Sequence, residues 1–141
     1  MKRKYIIAFT IIAVTLMLTV ALVGIMANIQ LNKKENEKYY QIESVKIFSL
    51  KEVCNKDLNL KNYSYSKDDN SYIKYYMYET NEGDALLNLY AEYLAIDEKF
   101  DLVSSNNSTV LEKQLEGAKC RIEMNCEEDS LELVLRYIYE T

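Results

Sequence analysis

Residues 120–138 read CRIEMNCEEDSLELVLRYI, and the fold turns on this stretch. Cys120, Ile122, Met124 and Cys126 alternate with Arg121, Glu123 and Asn125. After the polar turn Glu127-Glu128-Asp129-Ser130 the alternation resumes, with Leu131, Leu133, Leu135 and Tyr137 set against Glu132, Val134, Arg136 and Ile138. Successive side chains leave a strand on opposite sides, so period two with one apolar side marks a strand with one buried face. Two such runs across a short polar turn predict an antiparallel hairpin.

The same texture extends outward. Val110–Leu115 leads into this hairpin through a Glu116-Gly117 turn, and Asp101–Ser104 precedes it across the loop Ser105-Asn106-Asn107-Ser108. Before these strands, Leu86, Leu89, Tyr90, Tyr93 and Leu94 follow the i, i+3, i+4, i+7, i+8 stripe of a helix. Thr80 or Asn81 can cap its start, and Glu82 and Asp84 suit the positive end of its dipole. Its end falls near Glu98, with Phe100 folding back onto the apolar side. A second hairpin is predicted earlier, where Leu58–Tyr65 and Ser71–Tyr78 flank the turn cluster Ser66-Lys67-Asp68-Asp69-Asn70. Ile73, Tyr75 and Met77 share one face of its second strand, and Tyr72, Tyr76 and Tyr78 the other. Val45, Ile47, Phe48 and Leu50 read as a short entry strand. The loops are too short for parallel crossovers, so residues 45–141 are predicted to be an α+β domain with one helix packed on an antiparallel sheet.

The N-terminus has another character. Met1-Lys2-Arg3-Lys4 is basic, and from Tyr5 to Ala27 no residue is charged. As a helix that run rises about 34 Å, enough to cross a hydrocarbon core of about 30 Å, and it has no polar face. The reading is a signal-anchor helix over residues 5–27 whose partner is the lipid bilayer. The alternative is a signal peptide cut near Ala27, releasing a secreted domain. The first cysteine is Cys54, so no lipidation site closes the apolar run. Lys2, Arg3 and Lys4 before the span balance Lys33, Lys34 and Lys38 after it. The denser head, residues 1–4, is read as cytoplasmic and the rest as extracytoplasmic. Residues 28–44 read as a polar stalk, helical or solvated. An excess of Lys, Asn, Ile and Tyr suits an AT-rich bacterial genome.

Composition narrows the chemistry. The 141 residues hold 13 Tyr but no His, Trp or Pro. Without imidazole, Ser-His and Cys-His nucleophiles and His-ligated zinc are excluded. Three cysteines lacking C-x-x-C spacing make no metal set, and nothing calls for a cofactor. Outside the cytoplasm cysteines tend to pair. Cys120 and Cys126 lie about 20 Å apart along one strand and cannot bridge, which leaves Cys54 with Cys120 or Cys126. Residues 79–141 carry five basic and fifteen acidic residues, against nine and seven in residues 28–78. That acidic half disfavours nucleic acid. Tyr63, Tyr65, Tyr72, Tyr75, Tyr76 and Tyr78 crowd one hairpin, and half of them must point away from the core. Tyr72, Tyr76 and Tyr78 are the candidate binding residues, weighed against ordinary cross-strand packing. The functional expectation is a non-enzymatic binding or accessory module for an envelope or membrane partner. The alternatives are a small carboxylate-based envelope hydrolase and a cleaved secreted inhibitor or immunity-type domain.

Overall fold

A computed structural model describes residues 2–141. Helix α1 (Lys2–Glu35) leads into a two-stranded hairpin, β1 (Tyr39–Ile42) and β2 (Val45–Phe48), and then a short helix α2 (Leu50–Cys54). Strands β3 (Asn59–Lys67) and β4 (Ser71–Glu79) precede helix α3 (Gly83–Ile96). Strands β5 (Asp101–Ser104), β6 (Thr109–Leu115), β7 (Ala118–Cys126) and β8 (Ser130–Tyr139) complete the chain. The last six strands form one sheet in the order β3-β4-β8-β7-β6-β5, antiparallel throughout. An α+β domain with small helices on an antiparallel sheet is therefore what the alternation anticipates.

One face of this sheet is the core. Ile122 sits opposite Leu135 and Met124 opposite Leu133, as the pattern of residues 120–138 requires. Leu86, Leu87, Tyr90 and Leu94 of α3 pack on that face. The helix begins later than its sequence signals imply: Thr80 Oγ1 accepts from the Glu82 N–H, and Gly83 opens the first turn. A Cβ at Gly83 would run into the Cys126 thiol, so the close approach of α3 to β7 needs glycine there. Leu89, expected on the apolar stripe, is exposed instead. Lys99 adopts φ +60°, and the turn it makes returns Phe100 to the core with its N–H on the Leu94 carbonyl at 2.9 Å.

The stalk reading of residues 28–44 holds in its helical form as far as Glu35 and needs correction beyond it. The α1 helix continues to Glu35, and Tyr39–Ile42 is a strand whose Tyr40 and Ile42 are fully buried. Ile42 pairs with Val45 across the two-residue turn Glu43-Ser44. Alternation over four residues is too short a signal to stand out beside five charges between Lys33 and Lys38.

Tyr40 lies at the centre of what this hairpin adds. Its hydroxyl is 2.6 Å from that of Tyr78 and accepts the Leu50 N–H at 3.1 Å. Its ring packs on Tyr76 at 4.6 Å and edge-on to Tyr90 at 6.3 Å. Tyr90 in turn donates to the Phe48 carbonyl at 2.7 Å. Each such ring contributes about 2 kcal/mol through burial, and the hydroxyls avoid the cost of orphaned polar groups because each has a partner. Four aromatic rings thus tie β1–β2, α2, β4 and α3 into one core.

Burial holds the hydroxyls of Tyr40, Tyr90, Tyr76 and Tyr78 above the ordinary tyrosine range. A folded-state pKa raised in this way gives stability that is complete below pH about 10 and falls as pH climbs toward the folded values. Each buried tyrosine then costs about 1.4 kcal/mol per pH unit above that point. Alkaline titration followed by tyrosinate absorbance and far-ultraviolet circular dichroism is expected to show two stages. Exposed tyrosines ionise first, and the buried set only in a cooperative step coincident with loss of sheet signal. One smooth titration with the sheet retained would contradict the buried cluster.

Candidate functional site

Helix α1 is long and apolar enough to cross a membrane. No residue of its apolar run is fully buried by the rest of the chain. Its polar interruptions are self-satisfied: Thr10 donates to the Ile6 carbonyl and Thr15 to that of Ile11, both at 2.8 Å, and Thr19 bonds back to Thr15 and Leu16. Such back-bonding leaves no hydroxyl unpaired in an apolar medium.

The last turns of α1 are locked to the domain. Leu31 packs against the core. Glu35 accepts the Leu60 N–H at 2.8 Å on β3, which is an edge strand. Glu37 pairs with Lys34 at 2.6 Å and lies 3.4 Å from the Tyr76 hydroxyl. Lys34 also sits over the Tyr63 ring at 4.9 Å. Burial pulls the Lys34 ammonium down, but Glu37 more than offsets it and leaves the group raised. No glycine or proline interrupts residues 28–44.

Between α1 and the β3–β4 hairpin runs an open groove of about 540 Å³, lined by Gln30, Lys33, Lys34, Tyr63, Tyr65, Tyr72 and Lys74. Tyr65 and Tyr72 stack at 5.2 Å, and Lys74 reaches the Gln41 carbonyl at 2.6 Å. Burial lowers the Lys74 ammonium, and the like charge of Lys34 lowers it further. The groove lies at the end of the domain nearer the apolar run, because Glu35 meets Leu60 while the earlier residues of α1 meet Tyr63, Tyr65 and Tyr72.

The opposite end of the sheet is acidic. The start of α3 and the β7–β8 turn enclose a shallow depression of about 490 Å³, lined in part by Glu82, Asp84, Cys126, Glu127 and Glu128. Glu82 pairs with Lys56, and Glu79 with Lys61 at 2.9 Å. Asp84, Glu127, Glu128 and Asp129 are exposed and join no ion pair among the described residues.

The candidate binding tyrosines fall differently from the expectation. Tyr72, Tyr76 and Tyr78 do share a face, but it is the inner one: Tyr76 and Tyr78 are 0% and 1% exposed. Only Tyr72 reaches solvent, beside Tyr65 at the groove. The face of Ile73, Tyr75 and Met77 is the outer one, where burial and a hydrogen bond to Glu132 push the Tyr75 hydroxyl up to about 12. In the sequence Lys33 and Lys34 figure only in the charge balance across the span, because nothing local places them beside a hairpin thirty residues later.

The bridge from Cys54 to Cys120 or Cys126 is not formed, and all three cysteines are free. Cys120 is buried on the inner face of β7, and burial pushes its thiol up to about 12. Burial also raises Cys54, and it raises Cys126 with help from Asp84. Among the described residues no group of His, Cys, Asp and Glu side chains is placed to hold a metal ion, and no carboxylate is buried. Compared with protein-family descriptions, curated proteins and solved structures, the chain matches none.

Alkylation checks the thiols. At neutral pH the native protein is expected to leave Cys120 unlabelled, since neither access nor thiolate is present. In denaturant without reductant all three cysteines should label, by peptide mass spectrometry. A single labelled cysteine under those conditions would reveal a disulfide.

Proposed function

We propose that this chain is a single-pass membrane protein and a non-enzymatic accessory module for a membrane or envelope partner. In this reading residues 5–27 cross the bilayer, Lys2, Arg3 and Lys4 stay on the cytoplasmic side, and the α+β domain stands outside. The junction carries the proposal. The helix enters the domain with no flexible joint, held by Leu31, by the Glu35 bond to Leu60 and by the Lys34–Glu37–Tyr76 contacts. A domain fixed in this way is held at a set height and orientation, which suits presenting one surface to a neighbour.

The surface presented is the acidic end carrying Asp84, Glu127, Glu128 and Asp129. Unpaired carboxylates on one end favour a basic partner, with a reach of about 8 Å at physiological ionic strength.

Crosslinking in intact cells from position 128, followed by purification of the full-length protein from solubilised membranes, tests this reading. The expected result is an uncleaved chain of 16.5 kDa carrying a stoichiometric partner. That partner should be released by raised salt and absent from an Asp84→Asn, Glu127→Gln, Glu128→Gln, Asp129→Asn variant. Recovery of the protein alone, or of a chain beginning after Ala27, would overturn it.

A further inference from the structure

We propose that the groove between α1 and the β3–β4 hairpin binds the phosphate-bearing headgroups of anionic lipids in the leaflet on the domain's side. The inference rests on α1 spanning the membrane, and it adds a ligand that the anchor alone does not require.

Depth is the first support. Gln30, Lys33 and Lys34 follow Ala27 by about 4 to 10 Å along the helix axis. The headgroup region extends about 5–8 Å beyond each side of the hydrocarbon core. Gln30 therefore stands within that layer, and the two lysines stand a few ångström beyond it, from where long side chains reach back toward it. Tyr65 and Tyr72 line the same groove. Tyrosine rings with one apolar side and one polar tip settle at this depth.

Charge is the second support. The groove is lined by three lysines and no acidic side chain. Of the nearby acids, Glu37 and Glu43 are paired with Lys34 and Lys67, while Asp68 and Asp69 at the β3–β4 turn are exposed and join no ion pair among the described residues. Lys33 is exposed and has no ion-pair partner among the described residues. Lys74 is held down by burial and by the like charge of Lys34, with Glu37 acting in the opposite sense. A bound phosphate would favour the charged form of Lys74. The cationic pocket is also out of keeping with the rest of the domain, whose residues 79–141 are strongly acidic. The β3–β4 turn is closed on itself, because Asp68 Oδ1 accepts the N–H groups of Asn70 and Ser71 at 2.8 and 2.7 Å.

The test uses the full-length protein reconstituted into vesicles of phosphatidylcholine with phosphatidylglycerol, and into vesicles of phosphatidylcholine alone. Lipid retained after mild detergent extraction is counted by native mass spectrometry, and amide exchange is followed across residues 63–74. The expected result is phosphatidylglycerol enriched in the retained lipid, with slower exchange at Tyr63–Lys74 only in the mixed vesicles. Retention should weaken about fivefold for each lysine removed in Lys33→Gln and Lys33→Gln/Lys74→Gln. A Tyr65→Ser variant should weaken it without changing charge. Unchanged exchange in α3 and β7–β8 shows that each variant is folded. Retained lipid at the bulk ratio, or retention indifferent to Lys33→Gln, would overturn the proposal. Equal protection of residues 63–74 by inorganic phosphate in phosphatidylcholine vesicles would overturn it too, by showing a site for free anions. Failure of the chain to float with vesicles, or its release by alkaline carbonate, is a separate result that overturns the membrane span itself.

Discussion

The structure depends on one buried side chain that the linker contributes to the sheet. Tyr40 stands five residues beyond the end of α1, and its hydroxyl completes a chain of bonds from Leu50 through Tyr78. An unpaired hydroxyl or N–H at that depth would cost about 1–3 kcal/mol, so the three groups constrain one another. The rings of Tyr76 and Tyr90 fill the space around it. Because Tyr40 is fixed, β1–β2 is fixed, and so is the end of α1 four residues upstream of that strand.

This constraint turns an apolar helix and a small sheet into an oriented object. Without it, α1 and the sheet would be joined by a solvated tether, and the domain's surfaces would have no defined relation to the apolar run. With it, two chemically opposed ends stand at different heights. One carries Lys33, Lys34 and Lys74 among exposed tyrosines, and the other carries Asp84, Glu127, Glu128 and Asp129. The charge asymmetry visible along the chain thus becomes an asymmetry along the α1 axis. The proposed roles of the two ends follow from that placement.

Much of the sheet was legible because β7 and β8 obey period two over eight or more residues. The hairpin of residues 120–138 pairs as its alternation implies, and the turn Glu116-Gly117 uses glycine at φ +71°, where a side chain is disfavoured. Strand β4 shows where local pattern runs out. Ile73, Tyr75 and Met77 on one side, and Tyr72, Tyr76 and Tyr78 on the other, are both apolar enough to be the inner face. The choice is made by Tyr40, a residue outside the sheet that supplies hydroxyl and ring partners to Tyr78 and Tyr76. Read as a stalk, residues 28–44 offer Tyr76 and Tyr78 no partner, which leaves their face free to bind. The groove is equally invisible in the sequence, because its α1 and β3–β4 walls are brought together only by the fold.

The central claim is that residues 39–42 belong to the core and join helix to domain. Thermal unfolding of the fragments 28–141 and 45–141, followed by circular dichroism, tests it most directly. The account predicts a cooperative transition for 28–141. It predicts none for 45–141, which loses Tyr40 and Ile42 and orphans Tyr78 and the Leu50 N–H. Matching transitions in the two fragments would show that the linker strand is dispensable and that the domain hangs on a simple tether.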